Sequence, residues 1–198
     1  MKYIVLRLFG ELFALIGEGS NEYEIASWAS AKYCEWNEYG NEIEDFLAGV
    51  NLMNEPGFEM SILDIFRRGF GILQSEFNIE PNLEGEFGMY DELEAKYRCY
   101  FEVKRDVKYP VLNLCGQLFL LIANEKSPNE IAKWSYATYS VAVKNGCSHA
   151  MLQFLSDLAV IDTPGFEMSV SEIINKSINI LQMELNTVCK IYNDFQPL

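Results

Sequence analysis

The chain carries one stretch of sequence twice. Lys2-Tyr3-Ile4-Val5-Leu6 is answered by Lys108-Tyr109-Pro110-Val111-Leu112, and Gly10-Glu11-Leu12-Phe13 by Gly116-Gln117-Leu118-Phe119. Glu24-Ile25-Ala26-Ser27-Trp28 is answered by Glu130-Ile131-Ala132-Lys133-Trp134, and Pro56-Gly57-Phe58-Glu59-Met60-Ser61 returns unchanged as Pro164-Gly165-Phe166-Glu167-Met168-Ser169. Self-similarity of this kind restricts the architecture before any chemistry is considered, because each copy must be one structural unit. It also gives an internal control. Residues that both copies keep serve folding, and residues that one copy alone has are free to do something else.

Within each copy the apolar residues recur at helical spacing. Val5, Leu8, Phe9, Leu12, Phe13 and Ile16 form a stripe, matched by Val111, Leu114, Cys115, Leu118, Phe119 and Ile122. A second helix is expected to open at Asn21 and at Ser127, each followed three residues later by a glutamate (Glu24, Glu130) that can close a capping box. Pro128 stands at the first helical position, where its missing N–H is harmless. A third helix carries Ile43, Phe46, Leu47, Val50 and Met53, with Met151, Phe154, Leu155, Leu158 and Ile161 as counterparts. The fourth opens at Ser61 and Ser169, capped with Asp64 and Glu172 and stapled by Met60 with Ile65 and Met168 with Ile173. Its core face is Ile65, Phe66, Ile72, Leu73 and Phe77, answered by Ile173, Ile174, Ile180, Leu181 and Leu185. Turn, staple and cap together explain the shared Pro-Gly-Phe-Glu-Met-Ser stretch, so it reads as structural.

Residues 1–80 therefore form a first helical repeat and residues 107–198 a second. Between them, residues 81–106 hold a turn-rich linker from Pro81 to Gly88 and a connecting helix opened by Asp91 and Glu94. Strand competes with helix over Tyr97 to Val103, which is rich in aromatic and branched residues. The expected fold is all-α: two tandem four-helix repeats joined by the connecting helix, with pseudo-two-fold or solenoid-like packing.

The hydrophobic fraction of 49% is ample for a packed core. The formal net charge of −14 disfavours nucleic acid and anionic membrane and favours a basic partner. That charge is uneven: residues 1–80 have 14 acids and 5 bases, residues 81–106 have 7 and 4, and residues 107–198 have 8 and 6. Solubility alone would not place most of it in one of two sister copies. The five cysteines are odd in number and none recurs in both copies, which fits reduced thiols in a cytoplasmic protein. Arg7 and Glu11 interrupt the first apolar run, and its recurrence at 108–122 marks a core helix rather than a signal segment. No apolar run approaches the length needed to span a bilayer.

Catalytic and cofactor motifs are sparse. Gly17-Glu18-Gly19 and Gly69-Phe70-Gly71 lack the third glycine and the preceding strand of a phosphate loop. The single histidine, His149, has no partner at metal-ligand spacing and no nucleophile motif around it. Glu11 and Glu59 as metal carboxylates are a weak reading, since Gln117 replaces Glu11 and no Glu-x-x-His occurs. Carboxylates are plentiful enough that composition leaves a two-acid mechanism open, but acids on a solvated helix face are the ordinary case. The expectation is a protein that binds rather than catalyses, with no cofactor and no metal.

The copies part most clearly between the second and third helices. Copy one reads Glu35-Trp36-Asn37-Glu38-Tyr39-Gly40-Asn41-Glu42-Ile43-Glu44-Asp45, with five carboxylates and two large aromatics in eleven residues. Copy two has Val141-Ala142-Val143-Lys144-Asn145-Gly146, then Ala150, Leu152 and Gln153 where Glu42, Glu44 and Asp45 stood, and is two residues longer. Trp36 and Tyr39 suit the anchors of a protein contact, and Glu35, Glu38, Glu42, Glu44 and Asp45 suit pairing with Arg or Lys. In copy two, Val141 and Val143 are expected to pack against the first repeat or the connecting helix.

In its acid excess, tandem helical units and the patch from Glu35 to Asp45, the chain resembles the immunity proteins of bacterial contact-dependent, polymorphic toxin systems. The resemblance implies a cytoplasmic inhibitor that blocks a cognate basic toxin domain, with a nuclease as the expected class, by stoichiometric occlusion. The named carboxylates would take the cationic residues that otherwise hold nucleic-acid phosphates, while Trp36 and Tyr39 anchor the contact. Two other readings remain: a helical-repeat scaffold that binds a peptide or helix in an apolar groove, and a small carboxylate enzyme with a concave acidic pocket.

Overall fold

The computed structural model describes residues 2–35, 40–57, 60, 62–80 and 110–194. They form eight helices and, among the described residues, no strand. The helices are α1 (Lys2–Glu18), α2 (Glu22–Glu35), α3 (Asn41–Asn51), α4 (Ile62–Phe77), α5 (Pro110–Ala123), α6 (Pro128–Lys144), α7 (His149–Leu158) and α8 (Val170–Asp194). The linker and connecting helix expected over 81–106 lie outside the described residues, as does the cap Ser61. In the first half of the chain α1 packs on α2 and α4, α2 on α3, and α3 on α4; in the second, α5 packs on α6 and α8, α6 on α7, and α7 on α8. The halves meet where α4 lies against α8 and, far more extensively, where α1 lies against α5.

Glycine makes the α1–α5 contact possible. A Cβ on Gly116 would stand 2.6 Å from the Ala14 amide nitrogen and 2.7 Å from the Gly10 carbonyl oxygen, and one on Gly17 would stand 2.5 Å from the Asn113 amide nitrogen. The two backbones therefore touch, which no residue with a side chain would allow at these positions. Gly17 lies opposite Asn113, Ala14 opposite Gly116, and Gly10 opposite Leu120, so the helices run antiparallel. At one end Arg7 donates from Nη2 to Asn124 Oδ1 at 3.1 Å. Phe13 and Phe119, matching residues of the two copies, bring their rings to 5.9 Å across the contact.

Both expected stripes on α1 and α5 are buried, and so are Leu6 and Leu112, which lie off them. The extra width has one cause. Each first helix faces its own three-helix surroundings on one side and the other first helix on the other, so a single stripe is too narrow. The expected core residues of the third and fourth helices are buried, with Phe70 and Ile178 in addition; the side chain of Leu185 lies outside the described set. Phe13 sits at the centre of an aromatic cluster, with ring centroids 5.9 Å from Phe9, 5.6 Å from Phe66 and 6.0 Å from Phe70.

The two copies fill this layer differently. A Cβ on Gly69 would meet Phe9 Cε1 at 2.7 Å, so the ring occupies space that glycine leaves free. The matching positions in copy two are Ser177 and Cys115. A small thiol there leaves room for a hydroxyl, and Ser177 donates its proton to the Ile173 carbonyl at 2.8 Å. Burial pushes the Cys115 thiol far above its usual pKa, with the Glu184 and Cys147 charges adding to the rise and a hydrogen bond with Ser177 opposing it.

The expected caps form where they are described. Asn21 and Glu24 exchange side-chain and backbone bonds at 2.9 and 3.0 Å, Ser127 and Glu130 close a full capping box, and Ser169 and Glu172 do the same at 2.7 and 3.2 Å. The Lys126 ammonium, followed by the Ser127 amide and hydroxyl, lowers the Glu130 pKa to about 2. The shared Pro-Gly turns have Gly57 and Gly165 at φ of 86° and 89°, a left-handed conformation that explains the retained glycine. Met60 and Met168 pack on the core behind them.

Two differences from the sequence reading stand out. Val141 and Val143 are 51% and 50% exposed, so they are not buried against the first repeat; the connecting helix, the other partner expected for them, lies outside the described residues. They sit near the C-terminal end of α6, whose buried residues are Ile131, Ala132, Ser135 and Ala142. The fourth helices also differ, α8 having 25 residues and α4 only 16. Among the described residues no helix is long and apolar enough to cross a membrane.

Gly116→Ala is expected to destabilise the protein by about 2 kcal/mol in urea unfolding because it drives two backbones apart. Gly71→Ala, on α4 with nothing within 4 Å of the new methyl, should instead stabilise by about 0.5–1 kcal/mol. Gly69→Ser should cost about 2 kcal/mol alone and far less in a Phe9→Cys background, a coupling that a double-mutant cycle reads directly.

Candidate functional site

The second helix of the first copy lies on the outside of the bundle. Only Ile25, Ala26 and Ala29 of α2 are buried, and the rest of its surface faces solvent or the partly buried Trp28. Trp28 donates its indole N–H to Glu11 Oε2 on α1 at 3.1 Å. Lys32, one turn further on, pairs with the same carboxylate oxygen at 2.8 Å and with Glu35 at 3.4 Å. Partial burial works against the Lys32 charge, but the Glu11 hydrogen bond and the attraction of Glu11 and Glu35 outweigh it and raise the ammonium pKa.

The matching place in copy two keeps the indole and drops the charges. Trp134 donates to Gln117 Oε1 at 3.3 Å, the Gln117 amide donates to Asn113 Oδ1 at 2.8 Å, and Thr138 stands where Lys32 does. Glutamate with lysine and glutamine with threonine are thus alternative ways of satisfying one tryptophan. Lys32 is structural in this sense, and so in part is Glu35.

Of the seven candidate contact residues, Glu35, Glu42, Glu44 and Asp45 are described, while Trp36, Glu38 and Tyr39 lie outside the described residues. Glu35 ends α2, and the other three occupy the first turns of α3, which packs antiparallel on α2. Glu35, Glu42 and Asp45 are exposed and Glu44 half-buried. Local chemistry accounts for some of this acidity. Gly40 caps α3 with no side-chain bond, and Glu42 and Glu44 lie in the first turn, where negative charge offsets the helix dipole. Copy two solves the same problem with Ser148, whose Oγ accepts from the Met151 amide at 3.3 Å.

Sequence reasoning passed over the neighbouring groove. Ser27, Ser30 and Cys34 of α2, with Tyr23, face Asn51, Asn54 and Glu55 at the far end of α3 across an open groove of about 490 Å³. The divergence of the copies marks it: Lys133, Tyr136 and Thr163 stand where Ser27, Ser30 and Glu55 do. Between Arg7 and Arg67 the sequence has twelve acids and a single base, Lys32, and that base is held by Glu11 and Glu35. The outer face of α2 and α3 is therefore strongly acidic, with a polar groove in it, while Arg68 of α4 reaches α3 beside Gly49 and the Phe46 ring.

Among the described residues no group of three or more His, Cys, Asp or Glu side chains is placed to hold a metal ion. Cys34 is an exposed free thiol, while Cys115 and Cys147 are buried free thiols. His149 opens α7 in an exposed position.

Lys32→Thr alone is expected to destabilise the protein by about 1 kcal/mol by leaving Glu11 half buried without its cation. Adding Glu11→Gln, which recreates the copy-two pair, should recover most of that loss in the same urea titration. Compared with known proteins, the chain matches no family model, no curated protein and no solved structure.

Proposed function

We propose that the protein is an acidic cytoplasmic immunity protein that binds a cognate basic toxin domain, a nuclease being the favoured class, and blocks it by stoichiometric occlusion. The supporting observation is the charge arrangement of the first copy: twelve acids against one base between Arg7 and Arg67, with that base consumed by Glu11 and Glu35. Copy two has no such excess at the matching place, so folding of the shared unit does not demand it. The scaffold in this reading is two copies of one four-helix unit related by a pseudo-two-fold axis that passes between α1 and α5, with residues 1–80 carrying the binding face and residues 107–198 supporting it. The mutual contacts of Phe13 with Phe119 and of Gly10 with Gly116 support such an axis.

Binding rather than catalysis is favoured because Glu35, Glu42 and Asp45 stand on a solvated helical surface. Such a face steers a cationic partner and pairs with its Arg and Lys side chains. Trp36, Glu38 and Tyr39 extend the same contact.

The test uses the full chain and the product of the adjacent toxin gene. Glu42→Lys with Asp45→Lys is expected to leave the circular dichroism spectrum intact, to lower Tm modestly through the lost charge at the start of α3, and to weaken binding by about ten- to a hundredfold, mainly through a slower association rate. Wild-type affinity should fall steeply with salt. Affinity indifferent to both substitutions and to salt would remove the acidic face from the contact and favour the scaffold reading.

A further inference from the structure

We infer that the groove between α2 and the end of α3 is an arginine-binding subsite, which receives a guanidinium side chain of the basic protein partner. This rests on the reading of the acidic face as the docking surface and names the feature of the partner it takes. The groove is about 490 Å³ and open to solvent, wide enough for one long side chain and part of the backbone that bears it. Its described lining is rich in acceptors: the hydroxyls of Ser27 and Ser30, the side-chain carbonyls of Asn51 and Asn54, and the Glu55 carboxylate. None of the described lining residues is basic. A planar fork with five N–H donors matches dispersed acceptors of this kind better than a compact ammonium does. Tyr23, 71% exposed at the groove, offers a ring on which a guanidinium stacks.

The second copy supplies the contrast. At the matching positions α6 carries its own cation, Lys133, in place of Ser27, and the ring of Tyr136, 79% exposed, in place of Ser30; Thr163 replaces Glu55. Asp162 stands where Asn54 does, and Asn129 where Tyr23 does. Each copy therefore has one acid and one exposed ring here, but copy two also carries its own cation, Lys133, while the described lining of the first groove has none. Copy one is thus shaped for a cation from outside.

The probe is the blocked peptide acetyl-Arg-Gly-Arg-amide, titrated into the isotope-labelled full chain and followed by amide NMR shifts. The neutral isostere with citrulline in place of arginine is the control. Expected are saturable shifts at Ser27, Ser30, Asn51 and Asn54 with the arginine peptide and none with citrulline. Ser27→Lys and Glu55→Thr, both exposed positions carrying the copy-two residue, should each weaken the interaction by about three- to tenfold while leaving the remaining spectrum unchanged. Shifts confined to Glu42, Glu44 and Asp45, and abolished by Glu42→Lys with Asp45→Lys, would overturn the subsite and leave the acidic docking face standing. Equal shifts with citrulline would also overturn it, because recognition would then not depend on charge. No shift anywhere on α2 or α3 would sink the subsite and the docking face together.

Discussion

Everything in this bundle is arranged around two helices whose backbones touch. Gly10, Gly17 and Gly116 let α1 and α5 approach until carbonyl and amide atoms set the distance. That closeness brings Phe13 against Phe119 and leaves more than half of the residues of each first helix buried. The remaining helices then have only the outer flanks of the pair to cover. α4 and α8 take one flank and meet each other, while α2 and α6 are pushed to the periphery with few buried residues. A peripheral helix has surface to spare, and it is on such a helix that the first copy concentrates its divergence. The central contact constrains the core and frees the rim.

Much of the helical core could be read from the sequence because periodicity and caps are local. Asn21, Ser127 and Ser169 announce their helices within four residues, and the expected apolar stripes are buried throughout the described part of the fold. The full burial of Leu6 and Leu112 was not legible, since it depends on which helix lies across from which. The close approach at Gly116 was hidden for the same reason: a glycine inside a helix announces nothing until its neighbour across the interface is known. Val141 and Val143 are a different case. They replace Glu35 and Asn37, and both stay about half exposed on a helix at the edge of the described bundle.

The candidate site was legible as a location and less so as chemistry. Comparing the copies singles out the end of α2 and the start of α3, but not that Lys32 binds Glu35 to the tryptophan platform or that Glu42 and Glu44 stand in for a missing cap. Pairwise coupling between α1 and α2 decides the first, and backbone geometry at Gly40 decides the second. The groove was missed because its walls come from opposite ends of two helices, Ser27 and Ser30 on one and Asn51 to Glu55 beyond the other. The same comparison of copies, extended to small polar residues as well as charged ones, would have drawn attention to it.

The unequal packing at Phe9 and Cys115 bears on how the chain avoids assembling wrongly. Two similar first helices compete in principle for the same two berths, within one molecule or between neighbours. A Phe9 ring misplaced into the berth lined by Ser177 would meet a hydroxyl where Gly69 leaves space, and a Cys115 thiol in the other berth would leave a hole the size of a ring. Each mis-threaded arrangement is penalised in one direction by crowding and in the other by a void. Unequal residues at matching positions thus give each of the two first helices one berth that suits it and one that does not.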